Sequence, residues 1–174
     1  MEITQQLLDE LTAQAKASPR LRMNYDLRNS DTDNSQRMLN AIEPGSIIPI
    51  HRHTKSTETL VCLRGKLIED YYNESGCIEK SIELSPNGPI VALNIPKMQW
   101  HSLRALDSGT VIMEVKDGPY EPISPDDILK LYNNRELCEE YGRNGREFIL
   151  KNLTRAIGTQ KYVDIIKSVV ENKS

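Results

Sequence analysis

Between residues 37 and 117 the chain is cut into short β-favouring runs: RMLNAIEP, SIIPIHRH, ETLVCLRGKLIEDYY, IEKSIEL, PIVALNIP, HSLRAL and TVIMEVK. Pro, Gly, Asn, Ser or Asp separates each run from the next. Short strands broken by turn residues at this spacing describe a sandwich or a barrel, in which every strand must find neighbours on both sides. Asn73-Glu74-Ser75-Gly76 reads as a hairpin loop within that series. The expectation is a mainly β chain built around one barrel.

Different periodicities flank the barrel. Residues 3–17 repeat apolar side chains at Ile3, Leu7, Leu8, Leu11 and Ala15, the spacing of a helix face. Ser18-Pro19 ends it, because the residue before a proline is pushed out of the α region. RLRMNYDL then alternates like a strand, followed by the turn-rich NSDTDNSQ. Beyond Gly118-Pro119, Ser124-Pro125-Asp126-Asp127 has the pattern of an N-cap serine, a first-turn proline and first-turn acids. Helices are expected over 126–141, 143–152 and 154–171, the last capped by Thr154 and striped by Ile157, Ile165, Ile166, Val169 and Val170. The expected division is a barrel with a helical lead-in over 1–122 and a helical extension over 123–174.

Composition narrows the partners. A chain of 174 residues buries enough surface to fold without disulfides, and Cys62, Cys77 and Cys138 are an odd number without motif spacing, which predicts a reducing compartment. The N-terminus lacks a basic start followed by an apolar run, and no apolar stretch approaches the ~20 residues that cross a bilayer. A cytoplasmic chain without membrane insertion is expected. The net charge of −3 comes from interspersed signs with no basic block to neutralise phosphates, so nucleic acid is not an expected partner.

The three histidines carry the chemistry. His51 and His53 flank Arg52, and a strand puts residues i and i+2 on one face. Glu58 follows within a turn of chain, and His101 arrives on a separate run just after Pro96 and Trp100. Three imidazoles and a carboxylate form a mixed N/O donor set suited to one divalent transition metal, such as iron, zinc, manganese or nickel. With every histidine a ligand, a catalytic base would have to come from Glu58, Glu114, Lys116 or a tyrosine. Glu114 and Lys116 share one face of their run, opposite Val111, Met113 and Val115; a solvated face is the simpler reading, and a cavity-facing acid/base pair is the alternative. Cys62 has the parity of Glu58 and Leu60 and reads as a core residue. Trp100 is either a sugar-stacking platform or packing, and Arg22, Asn24, Arg37 and Arg64 are candidate anion contacts.

Gly45, His51, His53, Glu58 and Gly65 resemble, at every fixed position, the first motif of the cupins, and Pro96 with His101 fits the second. There Met98 stands where a glycine is usual, Ala105 replaces a frequent asparagine, and Gly88 is two residues farther from Pro96 than usual. More specifically, ASPRLRMNYDL, QRMLNAIEPGS, HRH, LRGKL, IPKMQWH and MEVKDGPYEP resemble the WbuC family of cupin-fold metalloproteins over residues 1–122. That resemblance implies a single double-stranded β-helix, or jelly-roll, barrel, a metal held by His51, His53, Glu58 and His101, a homodimer, and a place in O-antigen-type surface-polysaccharide biosynthesis. NNRELCEEYGRNGREFILKNLTRAIGTQKYVDIIKSVV is similar to the last helices of group 1 glycosyltransferases, a peripheral piece without a catalytic site. Two functions follow as expectations. One is a metal-dependent enzyme, isomerase/epimerase-like or dioxygenase-like, acting on a sugar or sugar-nucleotide. The other is a non-catalytic metal- and ligand-binding module whose tail docks a glycosyltransferase or a second subunit.

Overall fold

The computed structural model describes residues 1–129. The helices expected over 143–152 and 154–171, Cys138 and nearly all of the one over 126–141 lie outside the described residues. One helix, α1 (Gln5–Ala17), precedes eight strands: β1 (Arg22–Asp26), β2 (Ser35–Ile42), β3 (Glu58–Arg64), β4 (Leu67–Tyr72), β5 (Ile78–Leu84), β6 (Ala92–Ile95), β7 (Trp100–Ala105) and β8 (Thr110–Asp117). They form two antiparallel sheets, ordered β1-β2-β8-β3-β6 and β5-β4-β7. The mainly β barrel expected from the punctuated runs, with the jelly-roll form that the resemblance implied, is therefore the architecture observed.

Strand parity sorts the side chains into two cores. Ile42, Leu60, Cys62, Ile95 and Ile112 of the larger sheet meet Leu67, Ile82, Leu84, Leu103 and Ala105 of the smaller one between the sheets. Leu39, Ala41 and Val111, which have the opposite parity on β2 and β8, pack outside the barrel against Leu8, Leu11 and Ala15 of α1. Each fully buried aliphatic side chain of this kind contributes about 1.5–3 kcal/mol. The helix that provides this cover starts where Thr4 Oγ1 accepts from the Leu7 amide at 3.2 Å and stops where Ser18 turns extended before Pro19. Arg64 fastens it: Nη1 pairs with Asp9 at 2.5 Å, Nη2 donates to the Leu8 carbonyl at 2.9 Å, and Nε donates to the Gly109 carbonyl at 3.0 Å.

Two local expectations are corrected. The run over 46–53 is not a continuous strand; its one bridged residue is His51, which pairs with His101 on one side and Ile128 on the other. Pro49 removes a donor there, so a regular ladder cannot extend back through it. Ser124 does cap, accepting from the Asp126 amide at 3.3 Å, but it caps a single 3-10 turn, Pro125–Asp127. Ile128 leaves that turn extended, and the Leu129 amide donates to the Ile50 carbonyl at 2.9 Å, laying this segment against the histidine-bearing loop. No helix among the described residues is long and apolar enough to cross a membrane.

Candidate metal centre and adjoining cavity

His51 and His101 are locked together by their backbones, the His51 amide donating to the His101 carbonyl at 3.0 Å and the reverse at 2.8 Å. The Met98 amide donates to the His53 carbonyl at 2.8 Å, so the turn before β7 also holds the second histidine. Met98 sits at φ 70°, in the left-handed region. This explains why a glycine is usual at that position of the motif, and a methionine there carries about 1–2 kcal/mol of strain. Glu58 opens β3 beside Lys116, its register partner on β8. One donor atom from each of His51, His53, Glu58 and His101 lies within 4.8 Å of all the others.

The hydrogen bonds prepare these atoms for a cation. His51 Nδ1 meets the Pro49 carbonyl at 2.9 Å and His101 Nδ1 meets the Gln99 carbonyl at 2.8 Å. A carbonyl only accepts, so each Nδ1 carries the proton and each Nε2 keeps a free lone pair, the arrangement that orients metal-ligating imidazoles. His101 Nε2 is buried with no hydrogen-bond partner, an orphan that a metal would satisfy. Burial, reinforced by His101, pushes the His51 pKa down to about 3, and burial also lowers that of His101. Both rings are therefore neutral at pH 7. Burial alone would raise the Glu58 carboxyl, but the hydrogen bond from His53 and the Lys116 ammonium outweigh it and hold it below the usual range. Two neutral lone pairs, the third imidazole and an ionised carboxylate converging on one point fit a single divalent transition metal.

A cavity of about 560 Å³ adjoins this cluster. His51 and His53 line it, whereas Glu58 and His101 are buried and do not. Glu114 and Lys116 line it too, so the solvated-face reading of that pair is wrong. The reason is α1: it covers the outer face of β8, taking the apolar stripe, and leaves the polar stripe to face inward. Lys116 Nζ donates to Glu58 Oε2 at 3.1 Å and stands 3.4 Å from His53 Nε2. Burial, then the charge of Glu58, raises the Glu114 carboxyl to about 7. The wall opposite the sheet is made by the His51–Ser56 loop and by Gly118–Ile128.

Other candidates fall elsewhere. Cys62 is a core residue, with Sγ 3.6 Å from the Arg64 carbonyl. Trp100 is buried off the cavity, beneath the Arg52 guanidinium at 4.4 Å, and Arg52 pairs with Asp127 at 3.0 Å. Arg64 serves α1, Arg37 pairs with Asp33 at 2.6 Å, and neither these nor Asn24 line the cavity; Arg22 does. Sequence reasoning passed over Glu69, which is fully buried on β4 with both carboxylate oxygens unpartnered. Burial, then the charges of Glu58 and Glu114, raise its pKa well above the ordinary carboxylate value. Its signal was its parity with Leu67 and Tyr71 on a strand whose inner face is otherwise apolar or aromatic.

A family model described as a domain of unknown function (DUF6016) matches residues 3–84. No curated protein matches the sequence significantly. Among solved structures, KdgF from Halomonas sp. aligns at 13% identity and TM-score 0.48, covering 59% of this chain and 84% of that one. TT1209 from Thermus thermophilus aligns at 21% identity and TM-score 0.49, covering 68% and 98%. A cupin-2 domain-containing protein from Shewanella frigidimarina aligns at 18% identity and TM-score 0.42, covering 55% and 79%. The fold is that of a cupin. Its two antiparallel sheets and eight-strand order make the jelly-roll barrel on which cupins are built.

Proposed function

We propose that this chain is a metal-dependent cupin that acts on a small carbohydrate-related molecule, a sugar or sugar-nucleotide of surface-polysaccharide assembly. The observation that carries the reading is the joint lining of one cavity by His51, His53, Glu114 and Lys116. A divalent metal held by His51, His53, Glu58 and His101 would supply Lewis acidity to a bound hydroxyl or carbonyl. Glu114, raised to about 7, exchanges a proton near neutral pH and is the carrier in this proposal. Lys116 holds Glu58 ionised and offers positive charge to developing oxyanions. Glu58, paired with His53 and Lys116 and absent from the cavity lining, belongs to the metal centre rather than to proton transfer. This division of labour favours isomerase- or epimerase-like chemistry over oxygen chemistry. The polysaccharide setting rests on the resemblance of residues 1–122 to the WbuC family and of the tail to glycosyltransferase helices, and the homodimer belongs to the same proposal.

The test is the metal content of tag-free full-length protein by mass spectrometry, beside a His51→Ala/His101→Ala variant. About one equivalent of zinc, manganese or nickel, lost in the variant, supports the reading. One equivalent of iron would move it to the dioxygenase-like alternative. No bound metal after reconstitution overturns it and leaves a cupin-shaped binding module.

A further inference from the structure

The cavity has a second end. β2 runs along its floor, with Gln36 opposite Lys116, Met38 opposite Glu114 and Ile42 opposite Arg22 of β1. The chain then turns and comes back beside β2: the Arg22 guanidinium donates to the Ile47 carbonyl, and His53 reaches Lys116 six residues later. The lining residues therefore fall in order, with His53, Lys116 and Gln36 at one end, Glu114, Met38 and then Asn40 between, and Ile42 and Arg22 at the other. Gln36 and Ile42, which both line the cavity, stand six residues apart on β2, about 20 Å at ~3.4 Å per residue.

Arg22 differs from its peers. Arg28, Arg37, Arg52 and Arg64 are equally half-buried, and each pairs with a carboxylate. Among the described residues no carboxylate pairs with Arg22, which bonds only the neutral Ile47 carbonyl. Burial and the neighbouring Arg20 both disfavour its charge. A half-buried guanidinium facing a groove without a counter-ion is a fork of donors matched to a planar or tetrahedral oxyanion.

We propose that Arg22 is the anion-binding end of the groove, so that the ligand is elongated, with a polar group toward His51, His53, Glu114 and Lys116 and a carboxylate or phosphate at Arg22. This rests on the cavity being the ligand site proposed above, and it does not require the metal to be bound. It narrows the ligand class to an acidic molecule whose charged group stands far from the reacting end; a phosphate source and a carboxylate source share this chemistry.

The experiment is a titration of metal-free full-length protein, arginine-labelled with nitrogen-15, with inorganic phosphate and separately with acetate at constant ionic strength, read at the arginine Nε–Hε signals. The expected result is a saturable shift of the Arg22 signal that chloride does not produce. Saturation by phosphate alone assigns a phosphorylated ligand, by acetate alone a carboxylate, and by both a general oxyanion end. Arg22→Met should weaken the anion affinity at least tenfold; should that variant fail to fold, Arg22→Lys should retain binding but lose the bidentate preference, weakening it severalfold. Shifts that never saturate, or that spread equally over Arg20 and the other exposed arginines, overturn the proposal. Metal content of the wild-type protein, measured beside its anion titration, separates the two readings. Normal metal with no anion binding removes this inference alone, and anion binding without metal removes the metal-dependent function alone.

Discussion

Replacing Lys116 with methionine should tighten metal binding. Its ammonium donates to Glu58 Oε2 at 3.1 Å and lies 3.4 Å from His53 Nε2, so it covers donor atoms of two of the four candidate ligands. The side chain is only 10% exposed, so water does little to screen the arrangement. A divalent ion that uses those atoms must first displace the ammonium. Hydrogen bonds to charged groups contribute about 1.5–3 kcal/mol each, so the displacement weakens metal affinity by roughly ten- to a hundredfold. Methionine has nearly the same length, fills the same space and imposes no such competition. The metal-free variant should be less stable, because the buried Glu58 carboxylate then keeps only its contact with His53 at 2.7 Å. Competition against a chelator of known zinc affinity measures the effect, with Lys116→Arg as the charge-retaining control. Unchanged or weaker zinc binding in Lys116→Met would refute the competition and return Lys116 to a purely supporting contact with Glu58.

Glu114→Gln tests the buried acid through the pH dependence of stability. The folded carboxyl holds its proton to about pH 7 while the unfolded chain releases it near 4.5, so the wild-type fold loses stability as pH rises between those values. The variant should be more stable than wild type by about 2–3 kcal/mol at pH 8 and nearly equal to it at pH 4.5, read by urea melts of metal-free protein; an equal difference at both pH values would refute the assignment. Gly65→Ala tests the turn after β3. Its φ of +78° is left-handed, and a Cβ there would stand 2.7 Å from the Thr110 Cα and 2.4 Å from its Oγ1. Strain and overlap together should cost about 3 kcal/mol, and a loss below about 1 kcal/mol would show that the turn yields.

The centre was legible because its information lies in spacing: His51, His53, Glu58, Gly65 and, on a separate run, His101 stand at intervals that a barrel of short strands converts into convergence. The loop that carries two of them was less so, since alternation predicts a strand through residues 46–53 and cannot register that Pro49 leaves a single bridged residue. Parity on β8 was readable, but which face turns inward depended on α1, a partner some hundred residues earlier that claims the apolar stripe for itself. The same physics hides the role of an arginine. Arg22 and Arg64 look alike in sequence, and the difference between an anion site and a structural clamp lies only in whether a carboxylate, here Asp9, comes within reach. The Ser124-Pro125-Asp126-Asp127 pattern has the start of an α-helix in every local respect, yet the chain leaves after one turn so that Ile128 can pair with His51 and Asp127 with Arg52. Local signals identify which backbone groups need partners; they do not say whether the next turn of helix or a distant strand supplies them. At this edge of the barrel the distant partner won, and the cavity gained its outer wall from residues that the sequence placed in a separate helical extension.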